Sequence, residues 1–134
     1  MSELAEKVNI KHPIDVRSIS IIEDPFRNNA YVISLPLDSE PSYAWQMLFE
    51  EATWGSLDFW DRKVIVAGRE LKLMTTRNDL EEKLKWLEKV VDDTNNRVKE
   101  HNRKVKWEKK AKEREERADK EAIRDDLSRW TVRY

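Results

Sequence analysis

The sequence predicts an α+β fold: a small antiparallel sheet of about four strands in two hairpins with one short helix, followed by a long charged C-terminal helix or helical hairpin. Three observations predict it. Apolar and polar residues alternate from Tyr31 to Leu37, and Lys63 to Met74 reads as a tight hairpin around Gly68-Arg69. Trp45, Leu48, Phe49 and Ala52 recur at helical spacing. From Leu80 onward, apolar residues return every three or four positions through a segment dominated by charge. Periods of two and of 3.6 are the marks of a half-buried strand and an amphipathic helix.

The elements follow in order. Residues 1–13 are expected to form a flexible polar leader ending at His12-Pro13. A first strand is expected over Ile14 to Glu23, with a bulge near Arg17-Ser18 where the alternation changes phase. Asp24-Pro25 and Asn28-Asn29 mark a turn. The second strand runs through Tyr31, Ile33, Leu35 and Leu37, and Pro36, which lacks a donor, suits an edge position. Ser39 or Asp38 is expected to cap a helix beginning near Pro41 and ending at Trp54-Gly55. Leu57, Phe59 and Trp60 fall in a loop.

Lys63 to Met74 reads as a tight hairpin turning at Gly68-Arg69. That register sets Val66 opposite Leu71 and Val64 opposite Leu73, so both apolar pairs share one face. Asn78 and Glu81 suggest a capping box opening a helix at Asp79. Beyond it, Leu84, Val91, Val98 and Val105 occupy the a positions of a heptad, and Leu80, Leu87, Thr94 and His101 the d positions. The seam fails at Glu108 and Lys112. Asp92-Asp93-Thr94-Asn95-Asn96 is poor helical sequence, so one continuous helix competes with a helical hairpin turning there. Trp130 to Tyr134 reads as a short extended piece. The organisation expected is a head over residues 1–78, a helical segment over 79–124 and a C-terminal tail over 125–134.

Composition narrows the function classes. Hydrophobic residues make up 39% and charged residues 40% of 134, enough for one modest core, so the charge excess belongs on an elongated solvated element. There is no cysteine, which removes disulfides, thiolate metal sites and a cysteine nucleophile. Met1 to Ile10 lacks a basic start followed by an apolar run, and nowhere do 18 apolar residues occur in succession, so neither a signal peptide nor a membrane span is expected. A cytoplasmic protein fits these absences.

With Gly55 and Gly68 the only glycines, neither a P-loop nor a dinucleotide fingerprint can be built. His12 and His101 are the only imidazoles, which leaves no nucleophilic triad and no recognisable zinc spacing. Glu50-Glu51, and Asp58 and Asp61 around Phe59-Trp60, are the best paired carboxylates for acid–base chemistry. Neighbouring acidic residues on a helix diverge, however, and loop aspartates commonly cap turns. No catalytic residue, cofactor or metal ligand is assigned.

What remains is interaction. Tyr43, Trp45, Phe49, Trp54, Phe59 and Trp60 crowd together; most would pack the head, with Trp54 and Trp60 as the best candidates for exposed anchors. Lys99, Arg103, Lys106, Lys110, Arg114 and Arg117 form a basic stripe at spacings of four, three, four, four and three, with Trp107 interleaved for stacking on a base. Glu–Lys pairs at helical spacing nearby also allow a merely solvated helix. Val98 and Val105, with Ala111 and Ala118, are left to contact another chain, and Trp130 could anchor a last apolar face with Ile123 and Leu127. The function expected is a non-catalytic adaptor or inhibitor that docks on another protein through Trp54, Phe59, Trp60, Val98, Val105 and Trp130. The alternative is nucleic-acid binding through the stripe. A homo-oligomer is compatible with either.

Overall fold

A computed structural model describes residues 4–54 and 63–133. Four strands, β1 (Ile21–Glu23), β2 (Ala30–Pro36), β3 (Lys63–Ala67) and β4 (Glu70–Thr76), form one antiparallel sheet in the order β1-β2-β4-β3. Helix α1 (Tyr43–Trp54) and the 54-residue helix α2 (Leu80–Arg133) complete the α+β architecture. No helix among the described residues is long and apolar enough to cross a membrane.

The β3–β4 hairpin has the register that a turn at Gly68-Arg69 predicts: Val66 pairs with Leu71 and Val64 with Leu73. Gly68 supplies the turn with φ +59°, the positive value that a two-residue type II′ hairpin needs at its first loop position. β2 adds Leu35 opposite Leu71 and Ile33 opposite Leu73. The apolar rows thus run across three strands on the face that the helices cover. Asn29 takes φ +60° in the β1–β2 turn, a conformation that asparagine tolerates better than most residues.

Pro36 lies in an interior strand, yet β1 has already ended beside it. Its carbonyl accepts from the Lys11 amide at 2.8 Å, so its missing donor points away from the β2–β4 ladder and costs nothing there. The first strand is far shorter than Ile14 to Glu23, because Asp15 closes a turn there instead of a bulge. Its carbonyl accepts from the Ser18 amide and hydroxyl, and its Oδ1 from the Arg17 amide. The α1 cap is Ser42, whose Oγ accepts from the Trp45 amide at 3.2 Å. Asp38 is occupied elsewhere, exchanging hydrogen bonds with Asn9. At the start of α2, the Thr76 hydroxyl accepts from the Asp79 amide at 3.3 Å and donates to the Asp79 carboxylate at 3.1 Å.

The leader is not a flexible appendage. Ala5 and Val8 are buried in the core, and Ile10 bridges to Leu37. Its backbone is held by two asparagines of α2. Asn102 exchanges two 2.8 Å hydrogen bonds with the Ala5 amide and carbonyl. Asn95 does the same with Val8 at 3.1 and 3.0 Å. The spacing explains the fit: seven helical residues rise about 10.5 Å, and three extended residues cover about 10 Å. Two carboxamides on one helix stripe therefore meet an extended chain much as a neighbouring strand would.

α2 is one continuous helix, which settles the choice between helix and hairpin. The unpromising stretch from Asp92 to Asn96 stays helical, with its two buried polar side chains, Thr94 and Asn95, both hydrogen-bonded. The Thr94 hydroxyl donates back to the Val90 carbonyl at 2.7 Å. Asp93 lies 3.5 Å from Arg97, and Asn95 is saturated by the leader and Trp45. Helix also replaces the extended piece expected at the C-terminus, running through Arg133. Trp130, Thr131 and Val132 continue its hydrogen-bonded turns, with the Thr131 hydroxyl donating to the Ser128 carbonyl.

Candidate macromolecular interface

α2 changes character along its length. Its first half carries Leu87, Val90, Val91, Thr94 and Val98 into the core, and its contacts with its own chain thin out over His101, Asn102 and Val105, all half-buried. From Lys106 to Val132 every side chain except that of Ala111 is exposed. At 1.5 Å per residue, this free part is about 40 Å long. A single helix thus serves as core element and as projecting arm.

The arm is charged but not uniformly polar. Trp107, Ile123, Leu127, Trp130 and Val132 are all more than half exposed. Ile123, Leu127 and Trp130, at spacings of four and three, share one face. Exposed tryptophans on a solvated helix represent apolar area that a partner could cover.

At the junction of head and arm lies an open groove of about 770 Å³, whose lining includes Leu48 and Glu51 from α1 and Arg97, His101, Lys104 and Trp107 from α2. Glu51 and Arg97 approach to 3.6 Å across it. Arg103 and Glu100 also line it, which leaves the groove net positive. The basic stripe from Lys99 to Arg117 lies along one continuous helix, and Lys99, Arg103, Lys106, Lys110, Arg114 and Arg117 are all exposed. The leader adds to it: the Lys99 ammonium beside Lys7 lowers the pKa of Lys7 below the ordinary lysine value. The acidic neighbours temper the stripe, as in the 3.4 Å pair of Arg103 with Glu100.

The other candidates separate. Trp45 and Phe49 stack in the core with ring centroids 5.0 Å apart, whereas Tyr43 and Trp54 are exposed, Trp54 by 77%. Phe59 and Trp60, with Leu57, Asp58 and Asp61, lie outside the described residues. Val98 is 2% exposed and is no longer available to another chain, because α2 passes over the head further than the heptad seam implied. Val105 is half-buried. Glu50 is exposed, and Glu51 is taken up by Arg97. His12 lies in the leader and His101 in the groove. Among the described residues, no group of three or more histidine, aspartate or glutamate side chains could hold a metal ion.

Sequence reasoning missed one further exposed surface. On the face of the sheet away from the helices, Ile22, Val32 and Met74 pair in a row across β1, β2 and β4, and Ile65 on β3 is 51% exposed. The same alternation that identified the covered face held this signal. No match to the chain was found among protein-family models, curated proteins or solved structures.

Proposed function

We propose that this chain is a non-catalytic interaction protein, an adaptor or inhibitor, that docks on a macromolecular partner through the arm of α2 and the exposed aromatics beside it. The observation that carries this reading is the free half of α2. Trp107, Ile123, Leu127 and Trp130 each stay more than half exposed along it. Tryptophan is favoured where binding energy concentrates, and the mixed charges around these residues suit partner selection.

The test is capture of partners by the full-length chain, by a chain ending at Lys106, and by the double variant Trp107→Ala, Trp130→Ala. Docking through the arm requires a protein retained after nuclease treatment by the full chain and lost by the other two. Equal retention by all three would overturn the reading.

A second reading, nucleic-acid binding, is favoured by the exposure of the whole stripe and by the approach of Lys7 to Lys99. It requires affinity that falls steeply with salt, and its loss in the double variant Lys106→Glu, Lys110→Glu.

A further inference from the structure

Between Lys99 and Arg117 the two signs of charge sort onto different sides of α2. At about 100° per residue, Arg103, Lys106, Lys110, Arg114 and Arg117 fall between roughly 20° before and 60° after the direction of Lys99. The carboxylates of this stretch point elsewhere. Glu100, Glu108, Glu115 and Glu116 are turned about 100° or more from Lys99, and Glu113 alone comes within about 40°. Among the described residues, Arg103 is the one member of the basic face in an ion pair, with Glu100 at 3.4 Å. Nearer the tip, by contrast, Arg124 and Arg129 are both paired, with Glu121 and Asp126.

The leader and the groove border this basic face. The hydrogen bonds of Asn95 and Asn102 hold residues 5–8 along α2 and bring Lys7 up to Lys99. On the other border, Arg103 belongs to both the stripe and the groove, where Lys104, Leu48 and Trp107 join it. Arg103 and Lys104 precede Trp107 by four and three residues, so two cations neighbour an indole that is 66% exposed.

We propose that this face holds single-stranded nucleic acid, with phosphates along Lys99, Arg103, Lys106 and Lys110 and one unpaired base turned into the groove against Trp107. This rests on the nucleic-acid reading of the stripe and names the form of nucleic acid it takes. The step from stripe to groove is short, because Trp107 lies only about 40° round the helix from Arg103. A basic track for the backbone beside an aromatic ring for the bases is the arrangement that holds unpaired strands. In a duplex the bases are stacked on one another and offer the indole no face. Nor can α2 enter a duplex here. The major groove, about 12 Å wide, admits one helix about 10–12 Å across. From Lys99 to Lys104, however, α2 is flanked by the leader at Ala5 and by α1 at Leu48 and Glu51.

The test is fluorescence anisotropy of the full chain with three labelled oligonucleotides of equal length: a single strand, its duplex and an abasic strand. DNA and RNA single strands are both included, and binding of either in the expected pattern supports the proposal. The single strand should bind several-fold more tightly than the duplex or the abasic strand, and less tightly as salt rises. Trp107 lies outside the core cluster, so its variants keep the fold. Trp107→Ala should weaken the single strand about ten-fold and leave the other two unchanged, and Trp107→Phe should restore most of the loss. Lys7→Glu should weaken all three. Equal affinity for single strand and duplex would overturn the proposal, as would a single strand that binds Trp107→Ala undiminished. The nucleic-acid reading survives either result if Lys106→Glu with Lys110→Glu abolishes the binding. Failure of every oligonucleotide to bind at low salt would overturn both, and leave the arm to the proteins sought by capture.

Discussion

The indole Nε1–H of Trp45 donates to Oδ1 of Asn95 at 3.0 Å, joining α1 to the middle of α2 inside the core. Neither side chain reaches solvent appreciably. The same carboxamide accepts from the Val8 amide and donates to the Val8 carbonyl and to Asn9 Oδ1. All four of its hydrogen-bonding capacities are used, which is the condition under which a buried polar group stabilises a single arrangement.

Asn95→Ala leaves the Trp45 indole N–H and both Val8 backbone groups without partners in the core. Each orphaned buried group costs about 1–3 kcal/mol, so a loss of roughly 3 kcal/mol or more is expected in denaturant unfolding. Asn95→Asp keeps the acceptor, loses both donors and buries a charge, and it should be no better tolerated.

Asn102 lies nearer the surface and holds only Ala5. Asn102→Ala should cost about 1 kcal/mol. Its effect should be local, seen as faster hydrogen exchange at the Ala5 amide with little change at Val8. Deleting residues 1–9 removes buried Ala5 and Val8 along with both clamps, and it should lower the melting temperature much more than Asn102→Ala does.

Ending the chain at Lys106 removes only side chains that lie outside the core. The melting temperature, measured at low protein concentration, should stay within a few degrees of that of the full chain, while helical circular dichroism falls by about the share of α2 removed. Ending it at Asn96 instead cuts away Val98 and Asn102, and the head should unfold much more readily.

At Gly68 an added Cβ would meet nothing within 4 Å, so any cost of Gly68→Ala is purely conformational. A φ of +59° costs an alanine about 1–2 kcal/mol. Thermal unfolding should register that loss with the sheet register intact.

The sequence held much of this fold, and what it hid has physical causes. The β3–β4 pairing was legible because a two-residue turn at Gly68-Arg69 fixes a register that aligns Val66 with Leu71 and Val64 with Leu73. The apolar face of α1 was legible because Trp45, Phe49 and Ala52 recur at helical spacing. The docked leader was not legible: its contacts run through backbone groups and two asparagines about ninety residues away, which leave no hydrophobic period. The same asparagines lowered the apparent helicity of Asp92 to Asn96, since local propensity counts Asn against a helix whatever it bonds at a distance. Val98 was read as available because the heptad seam carries no information on how far the head extends. Among the candidate interface residues, exposure of Trp54, Trp107 and Trp130 could not be told from burial by spacing alone. The charge polarity of the arm, by contrast, is a property of the sequence that gained a place once α2 proved to be one continuous helix.

The division of α2 into a core half and a solvent-exposed half is tested most directly by hydrogen exchange along the full chain, resolved by residue, at high dilution. There, amides from Leu84 to Val98 should be protected to the level of global unfolding, and those from Lys109 to Thr131 far less. Uniform protection of the whole helix at high dilution would contradict the division, because the arm would then be held by its own chain.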